Sequence, residues 1–113
     1  MNKIEAIIRP ERASLVTVAL SEAGFLGLNV AHVTGRGVQK GIQHVGRGGM
    51  NVTIDMLPKT KLEVVCKDTD VDQVIEIIVE NARTGEVGDG RIFVTPVNEA
   101  VRVRTGERGE ASL

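Results

Sequence analysis

A glycine-rich segment with an acid and an arginine, ARTGEVGDGRIFVTPV at residues 82 to 97, is where the chain is best equipped for chemistry. Gly88 and Gly90 would let backbone N–H groups approach a polyphosphate without Cβ obstruction, and Arg91 would neutralise its charge. Asp89 cannot favour phosphates, so we expect it to orient the backbone or to accept hydrogen bonds from nucleotide hydroxyls. The alternative interpretation is a tight turn at the start of a strand.

Near the end of the chain, the segment VRVRTGERGE carries two further cations. Arg102 and Arg104 alternate, which places them on one face if the segment is extended. Their guanidinium groups would then offer two more forks for phosphate. The alternative is a solvated basic strand.

Composition excludes several classes of protein. The 113 residues carry 14 basic and 15 acidic groups and 2% aromatic residues, which argues against nucleic-acid binding because both a basic field and stacking rings are scarce.

Cys66 is the lone cysteine, so no intramolecular disulfide forms, and we interpret it as a core thiol. We interpret His32 as a surface or interface residue, and His44 has no companion metal ligand nearby. The sequence has no long apolar segment, so we expect a cytoplasmic protein that does not insert into a membrane. It also has no catalytic triad or carboxylate pair that would suggest an enzyme.

Two stretches of the chain resemble each other at an offset of 58 residues, KIEAIIRPERASLVTVALSEAG from Lys3 and KLEVVCKDTDVDQVIEIIVENA from Lys61. In each, a short β-branched run precedes apolar residues at helical spacing. Asp70 and Gln73 predict a capping box at the second helix, and glycines follow each helix before a further strand. The order β-α-β, twice, predicts one α+β domain over 1–113 with a ferredoxin-like double βαβ fold and one uncovered sheet face.

Between the repeats, residues 35 to 59 are glycine-rich and lack helical periodicity. A connection of this length inside a small domain is usually functional or disordered. The flanking runs NVAHVT and TKLEVV could extend outward as a hairpin, so we predict an arm over residues 37–55 that meets a partner. The alternative is a tolerated flexible insertion.

Five ordered blocks resemble the PII nitrogen-regulatory signal proteins over essentially the whole chain: KIEAIIRP, GRGVQKG, LPKTKLEVV, ARTGEVGDGRIFVTPV and VRVRTGERGE. Proteins of that family are homotrimers of ferredoxin-like subunits, with the uncovered sheet faces packed inside and ATP or ADP in the clefts between subunits. The resemblance therefore implies a nucleotide-binding trimer, not an enzyme, that regulates another protein through the arm.

The resemblance also implies residue roles. Those expected to bind ATP or ADP are Asn29, Gly37, Val38, Val65, Gly88, Asp89, Gly90, Arg91, Arg102 and Arg104. Those expected to bind 2-oxoglutarate are Gln39, Lys40, Gly41, Lys59 and Gly88, with Arg9 as an addition. Gln39 would also hold Mg²⁺ together with ligand oxygens, and Lys59 would pair with the distal carboxylate of 2-oxoglutarate, a coherent donor set for a hard cation.

Some positions depart from the family pattern. Val38 stands where an arginine is usual, which leaves the preference between ATP and ADP open, and Asn29 stands where a threonine is usual. The segment VTGRGVQKGI is closer to the nitrogenase-linked variants of the family. The partner stays open between an ammonium channel, a nitrogenase component and a nitrogen-assimilation enzyme. Two alternative functions are a nucleotide-using enzyme and a purely structural trimer on the same fold.

Overall fold

The structure is a computed structural model that describes residues 1–36 and 56–113 in full and residues 42–45 and 51–54 as strand backbone. Two helices and six strands form the described part. Their bounds are β1 Asn2–Ile8, α1 Ala13–Glu22, β2 Leu28–Arg36, β3 Ile42–Val45, β4 Asn51–Ile54, β5 Met56–Cys66, α2 Val71–Ala82 and β6 Gly90–Pro96. Short 3-10 turns cover Pro10–Arg12, Asp68–Asp70 and Gly109–Ser112.

Four strands form an antiparallel sheet in the order β2-β5-β1-β6, and β3 pairs with β4 in a separate two-stranded sheet. From Ile4 onward in β1 and from Thr60 onward in β5, every second residue is buried, because successive side chains of a strand point to opposite faces. The helices cover that face. The core consists of Ile4, Ala6, Ile8, Val16, Leu20, Leu62, Val64, Cys66, Val74, Ile78 and Ala82. The predicted α+β ferredoxin-like fold is confirmed.

The internal repeat predicted from the sequence is confirmed at the level of packing. Ile4 and Leu62 occupy equivalent core positions on β1 and β5, and Leu20 and Ile78 do so on the two helices. In both halves a 3-10 turn lies immediately before the helix. The two halves therefore enter their helices in the same way.

The predicted capping box at α2 is wrong. Asp70 is the N-cap residue, but its side chain makes no capping hydrogen bond. The preceding 3-10 turn gives Asp70 a helical backbone, with φ −98° and ψ −8°, whereas a capping side chain normally projects from an extended N-cap residue. The start of α2 is therefore held by that turn and by the packing of Val74 and Ile78.

The pairing of β2 with β5 extends the sheet toward the predicted arm. The two strands stay in register from Leu28 opposite Val64 to Arg36 opposite Met56. This confirms that the flanking runs continue outward as a long hairpin. Strands β3 and β4 add a pair running from Ile42 opposite Ile54 to Val45 opposite Asn51.

The face of the sheet opposite the helices carries a mixture of charged and apolar side chains, and the charged ones include Lys3, Glu5, Lys61 and Glu63. Glu5 of β1 lies directly opposite Glu63 of β5, an unfavourable cross-strand pair that the Lys3 ammonium offsets from 4.0 Å. No helix covers this face within residues 1–36 and 56–113. The sequence-based expectation of one uncovered sheet face is confirmed for these residues.

Candidate functional site

The turn that leads into β6 has the backbone shape that its glycines were expected to permit. Gly88 has φ +102° and Gly90 has φ +108°, both in the region that side chains disfavour. At Gly90 a Cβ atom would also lie 1.8 Å from the carbonyl oxygen of Ile7 on β1. Glycine at position 90 is therefore required by backbone conformation and by the close approach of two strands.

Two cations hold this turn, one immediately after β1 and one within β5. Arg9, immediately after β1, donates from Nη2 to the carbonyl oxygen of Val87 at 2.8 Å. Lys59 of β5 donates from Nζ to the carbonyl oxygen of Gly88 at 2.7 Å. Because the register places position 59 beside position 9 and position 9 beside position 89, both cations lie at the end of the sheet from which the arm departs.

The Asp89 side chain is directed back into the turn. Its Oδ1 accepts from Arg9 Nε at 3.1 Å and from the Thr84 hydroxyl, and its Oδ2 accepts from the Thr84 and Gly85 amides at 2.8 and 2.9 Å. Asp89 thus accepts hydrogen bonds from two backbone amides of the turn. These four bonds, from the Thr84 hydroxyl first, keep the pKa of Asp89 well below its usual range although partial burial opposes the shift.

This depressed pKa predicts an acid-dependent contribution to stability. The ionised carboxylate stabilises the fold above the unfolded-state pKa of about 3.9, and that contribution is lost as the pH falls from there toward the lower folded-state value. We expect the difference in free energy of unfolding between wild type and Asp89→Asn to be constant from about pH 8 to pH 5 and to narrow below about pH 4. Denaturant titrations across this range measure it. A difference that stays constant down to about pH 2 would contradict the assignment of the shift to these bonds.

Gly35 of β2 makes room for the Lys59 side chain. A Cβ atom at position 35 would lie 3.0 Å from Lys59 Cγ. The aliphatic stem of Lys59 thus passes close over the Gly35 backbone while its ammonium reaches Gly88. Sequence reasoning did not assign this positioning role to Gly35.

The residues expected to bind nucleotide fall into separate groups within one chain. Asn29 lies on β2, at one edge of the sheet, and Val65 lies on the adjacent β5. Arg91 lies on β6, at the opposite edge, next to the Gly88–Gly90 turn. Three inter-strand spacings, about 14 Å, separate the two edges. A single chain does not bring the groups together.

The extended tail expected for Arg102 and Arg104 is wrong. The chain reverses in a turn over residues 103–105, closed by Gly106 N–H donating to the Arg102 carbonyl oxygen at 2.7 Å. Gly106, with φ +74°, permits the reversal, which is the physical reason that the alternation does not persist.

The two tail arginines have different surroundings. The Arg102 guanidinium lies 3.5 Å from a Glu107 carboxylate oxygen and donates to the carbonyl oxygens of Ser112 and Leu113 at 3.3 and 3.4 Å. Arg104 is exposed and has no hydrogen bond or ion pair with any residue that the structure describes. Arg104 is therefore the more available cation of the two.

The remaining predicted positions at the base of the arm lie outside the described residues. They are Gly37, Val38, Gln39, Lys40 and Gly41. The proposed metal ligand Gln39 is among them. In the described part of the chain no group of three His, Cys, Asp or Glu side chains is arranged to hold a metal ion. Because Asp89 is engaged by four donors, Mg²⁺ at this turn would rely on ligand oxygens and Gln39, a donor set that suits it.

Cys66 and His32 follow their sequence interpretations. Cys66 is buried in the core, and burial raises the pKa of its thiol, so it behaves as a small apolar group. His32 is exposed on the edge strand β2. Neither contributes to the turn.

A cavity of about 420 Å³ lies behind the turn, between α2 and β6. Its walls are mainly aliphatic, from Ile75, Ile78, Val79 and Ile92 among others. Arg83, Asp89 and Arg91 also line this cavity, and Arg91 lies opposite Ile7 in the pairing of β6 with β1.

Thr84 is the site residue that sequence reasoning missed. Its hydroxyl and amide both donate to Asp89, and the hydroxyl also accepts from the Glu86 amide at 3.2 Å. The signal was present as a threonine followed by glycine, five residues before the aspartate. Such Ser or Thr hydroxyls commonly bond to nearby backbone in turns.

The fold and the site define a ferredoxin-like α+β protein in which two cations hold a glycine turn at the base of an arm. A model of the family described as Nitrogen regulatory protein P-II matches residues 1–107. The chain belongs to the nitrogen regulatory protein P-II family, a family of regulatory proteins.

Individual relatives match over nearly the full length. Nitrogen regulatory protein P-II 2 of Methanothermobacter thermautotrophicus is 51% identical over 113 residues, covering 100% of this chain and 97% of the relative. Nitrogen regulatory protein P-II of Microchaete diplosiphon is 48% identical over 113 residues and 100% of both chains. That of Azospirillum brasilense is 51% identical over 109 residues and 96% of each chain. None of the described helices is long and apolar enough to span a membrane.

Proposed function

We propose that this protein is a cytoplasmic, homotrimeric nitrogen-regulatory signal protein over residues 1–113. It binds ATP or ADP and 2-oxoglutarate with Mg²⁺, and it controls a partner protein through the arm at residues 37–55. The observation that carries the proposal is the convergence of Arg9 and Lys59 on the Gly88–Gly90 turn at the base of the arm. Two cations beside free backbone donors suit an anionic ligand.

The nucleotide site is proposed to form between copies of the chain. Asn29 and Val65 come from the β2 side of one sheet, and the turn with Arg91 comes from the β6 edge of the next. The uncovered sheet face would then be packed in the trimer, where the Lys3 and Glu63 pair would lose solvent. This arrangement explains why one chain carries both groups of residues without joining them.

The 2-oxoglutarate site is proposed to lie within one chain. Lys59 has three ammonium donors, so it can retain Gly88 and still meet a distal carboxylate. When bound, Mg²⁺ would supply electrostatic attraction between phosphate and oxoacid oxygens, with Gln39 among its ligands. Lys40, Gly41 and the Gly88 backbone would complete the site.

Ligand binding is proposed to shift the population of arm conformations. Strands β2 and β5, which flank the arm, continue directly from the site, since Lys59 is part of β5. A ligand that favours one arm conformation changes the affinity for a partner that binds only that conformation. The partner is an ammonium channel, a nitrogenase component or a nitrogen-assimilation enzyme, and regulation is the role proposed in place of catalysis.

Replacing Arg104 is expected to affect ATP binding alone, whereas replacing Arg102 is expected to affect both ATP binding and thermal stability. We expect Arg104→Ala to weaken ATP by roughly ten- to a hundredfold, the value of one charge-assisted contact, without lowering the thermal midpoint. Arg102→Ala should also lower the midpoint, because it releases Glu107 and the C-terminal carbonyls. Calorimetric titration and thermal unfolding measure both, with Arg12→Ala as the charge control. Unchanged ATP affinity in Arg104→Ala, at unchanged oligomer mass, would remove the residue from the site.

The proposed function is tested by titrating ATP calorimetrically with and without saturating 2-oxoglutarate, in the presence of Mg²⁺. Reciprocity requires that 2-oxoglutarate tighten ATP by the same factor by which ATP tightens 2-oxoglutarate. An ATP isotherm insensitive to 2-oxoglutarate would leave a nucleotide-binding trimer without the signalling role. Absence of ATP binding would favour a structural trimer, and sustained ATP turnover with an acceptor would favour an enzyme.

A further inference from the structure

We propose that Asp89 is a positioning residue that acts through Thr84, Gly85 and Arg9 to hold the Gly88–Gly90 turn open for phosphate, and that it does not touch the nucleotide. The inference rests on the proposed function and changes the role of one residue within it. Three observations support it: the count of acceptor sites on Asp89, the distribution of free N–H groups along the turn, and the pairing of its charge.

The acceptor capacity of Asp89 is already used. A carboxylate offers about four lone-pair sites. Four donors occupy them: Arg9 Nε at 3.1 Å, the Thr84 hydroxyl, and the Thr84 and Gly85 amides at 2.8 and 2.9 Å. A ribose hydroxyl would have to displace one of these donors, so a direct nucleotide contact costs a bond that the turn already has.

The backbone N–H groups of the turn fall into two sets, those that have an acceptor within the chain and those that are free to bind a ligand. The amides of Thr84, Gly85 and Glu86 all have acceptors, which are Asp89 for the first two and the Thr84 hydroxyl for the third. The amides of Val87 and Gly88 have no acceptor within the described chain, whereas the turn over residues 87–88 directs the Asp89 amide toward the Glu86 carbonyl oxygen. Successive free N–H groups next to glycines of positive φ are the arrangement that binds phosphate.

The carbonyl oxygens of Val87 and Gly88 both accept hydrogen bonds from cations. Arg9 holds the Val87 oxygen and Lys59 holds the Gly88 oxygen. A peptide unit whose oxygen is fixed on one side has its N–H direction fixed as well, because the unit is planar. Arg9 contacts both Val87 and Asp89, so the carboxylate is what keeps its guanidinium in place.

The charge of Asp89 is neutralised where it would otherwise repel phosphate. Its ion pair with Arg9, at 3.1 Å, lies on side chains that are 18% and 24% exposed. Hydrogen bonds from the Thr84 hydroxyl and the two amides hold the pKa of Asp89 below its usual range, so the pair stays ionised at neutral pH. An acid within a phosphate turn is thus tolerated because its charge is directed away from the free amides.

The decisive experiment compares two nucleotides on the intact protein. ATP and 2′,3′-dideoxy-ATP carry the same phosphates but differ in the hydroxyl groups to which Asp89 would bond directly. We expect Asp89→Asn to weaken both by the same factor, roughly ten- to a hundredfold. Thr84→Val removes one donor from Asp89 and should weaken both nucleotides about three- to tenfold, again equally. Amide hydrogen exchange of residues 85 to 89 should become faster in both variants.

Asp68→Asn is the matched control. Asp68 is also an ion-paired aspartate, 3.0 Å from the N-terminal ammonium, and it lies outside the site. It should bind both nucleotides as wild type does. Thr84→Val, at an exposed position, keeps the test available if Asp89→Asn fails to assemble.

Each outcome is decisive. A loss for ATP that disappears with dideoxy-ATP would make Asp89 a direct contact and overturn the inference. Wild-type affinities in Asp89→Asn and Thr84→Val would reduce Asp89 to a structural role and overturn it too, while the proposed function stands. If the wild-type protein binds neither nucleotide, the proposed function fails, and the inference fails with it.

Discussion

Lys59→Ala is expected to abolish 2-oxoglutarate binding while weakening ATP binding far less. The ammonium lies at the base of the arm and offers free donors beyond its bond to Gly88. Loss of a charge-assisted pair with a carboxylate should cost about a hundredfold or more in 2-oxoglutarate affinity. The lost bond to the Gly88 carbonyl oxygen loosens the turn, so ATP should weaken by only about threefold to tenfold.

The measurement is a pair of calorimetric titrations, ATP alone and 2-oxoglutarate in saturating ATP with Mg²⁺. Lys67→Ala is the control, since the Lys67 side chain is exposed and makes no hydrogen bond or ion pair within the described chain. Wild-type affinity for 2-oxoglutarate in Lys59→Ala would show that the ligand does not use this cation. An equally large loss for both ligands would show that Lys59 acts mainly by shaping the turn.

Gly90→Ala should be the most destabilising substitution at the site. The methyl group would lie 1.8 Å from the Ile7 carbonyl oxygen and 3.1 Å from Ile8 Cα, both part of the β1 backbone, and φ +108° is itself strained for alanine. Neither neighbour can rotate away, so β6 must separate from β1. We expect a loss of at least about 3 kcal/mol in the free energy of unfolding.

Two other glycines isolate the causes of that loss. Gly24 has φ +96° but no atom within 4 Å of the place that a methyl group would occupy, and Gly27 has neither the positive φ nor a close atom. Gly24→Ala should cost about 1 to 2 kcal/mol from backbone strain alone, and Gly27→Ala close to nothing. Denaturant unfolding at fixed protein concentration ranks the three. If Gly90→Ala loses no more than Gly24→Ala, the close approach of β1 and β6 is contradicted.

The fold could be predicted from the sequence because its signals are local and repeated. Apolar positions such as Val16 and Val74 recur at the same place in each half, and both are buried. The capping box failed because a 3-10 turn alters the backbone of Asp70, and four residues of sequence do not reveal that turn. The prediction of an extended tail is wrong because Gly106 permits a chain reversal, and a glycine is a stronger signal for a turn than the alternation of Arg102 and Arg104 is for a strand.

The site could be predicted only in part, because its contacts are distant in sequence. Gly88 and Gly90 are recognisable from composition alone, since few other positions combine glycine with a following strand. Arg9 and Asp89 are 80 residues apart, and Lys59 and Gly88 are 29 apart, so their convergence depends on the register of three strands. No local pattern encodes that register. The four-donor arrangement at Asp89 likewise appears only once the turn is folded.

The position of Asn29 and Arg91 on opposite edges of the sheet has a genetic consequence. In the proposed assembly, two neighbouring subunits each contribute half of the residues of a nucleotide site. In a mixed trimer, a chain damaged at Asn29 and a chain damaged at Arg91 would meet at one junction where both halves are intact, so the two defects would partly complement each other. Damage at Lys59 would not be rescued, because Lys59 and Gly88 belong to the same chain. Defects in nucleotide binding would therefore complement each other between subunits, whereas a defect in 2-oxoglutarate binding at Lys59 would not.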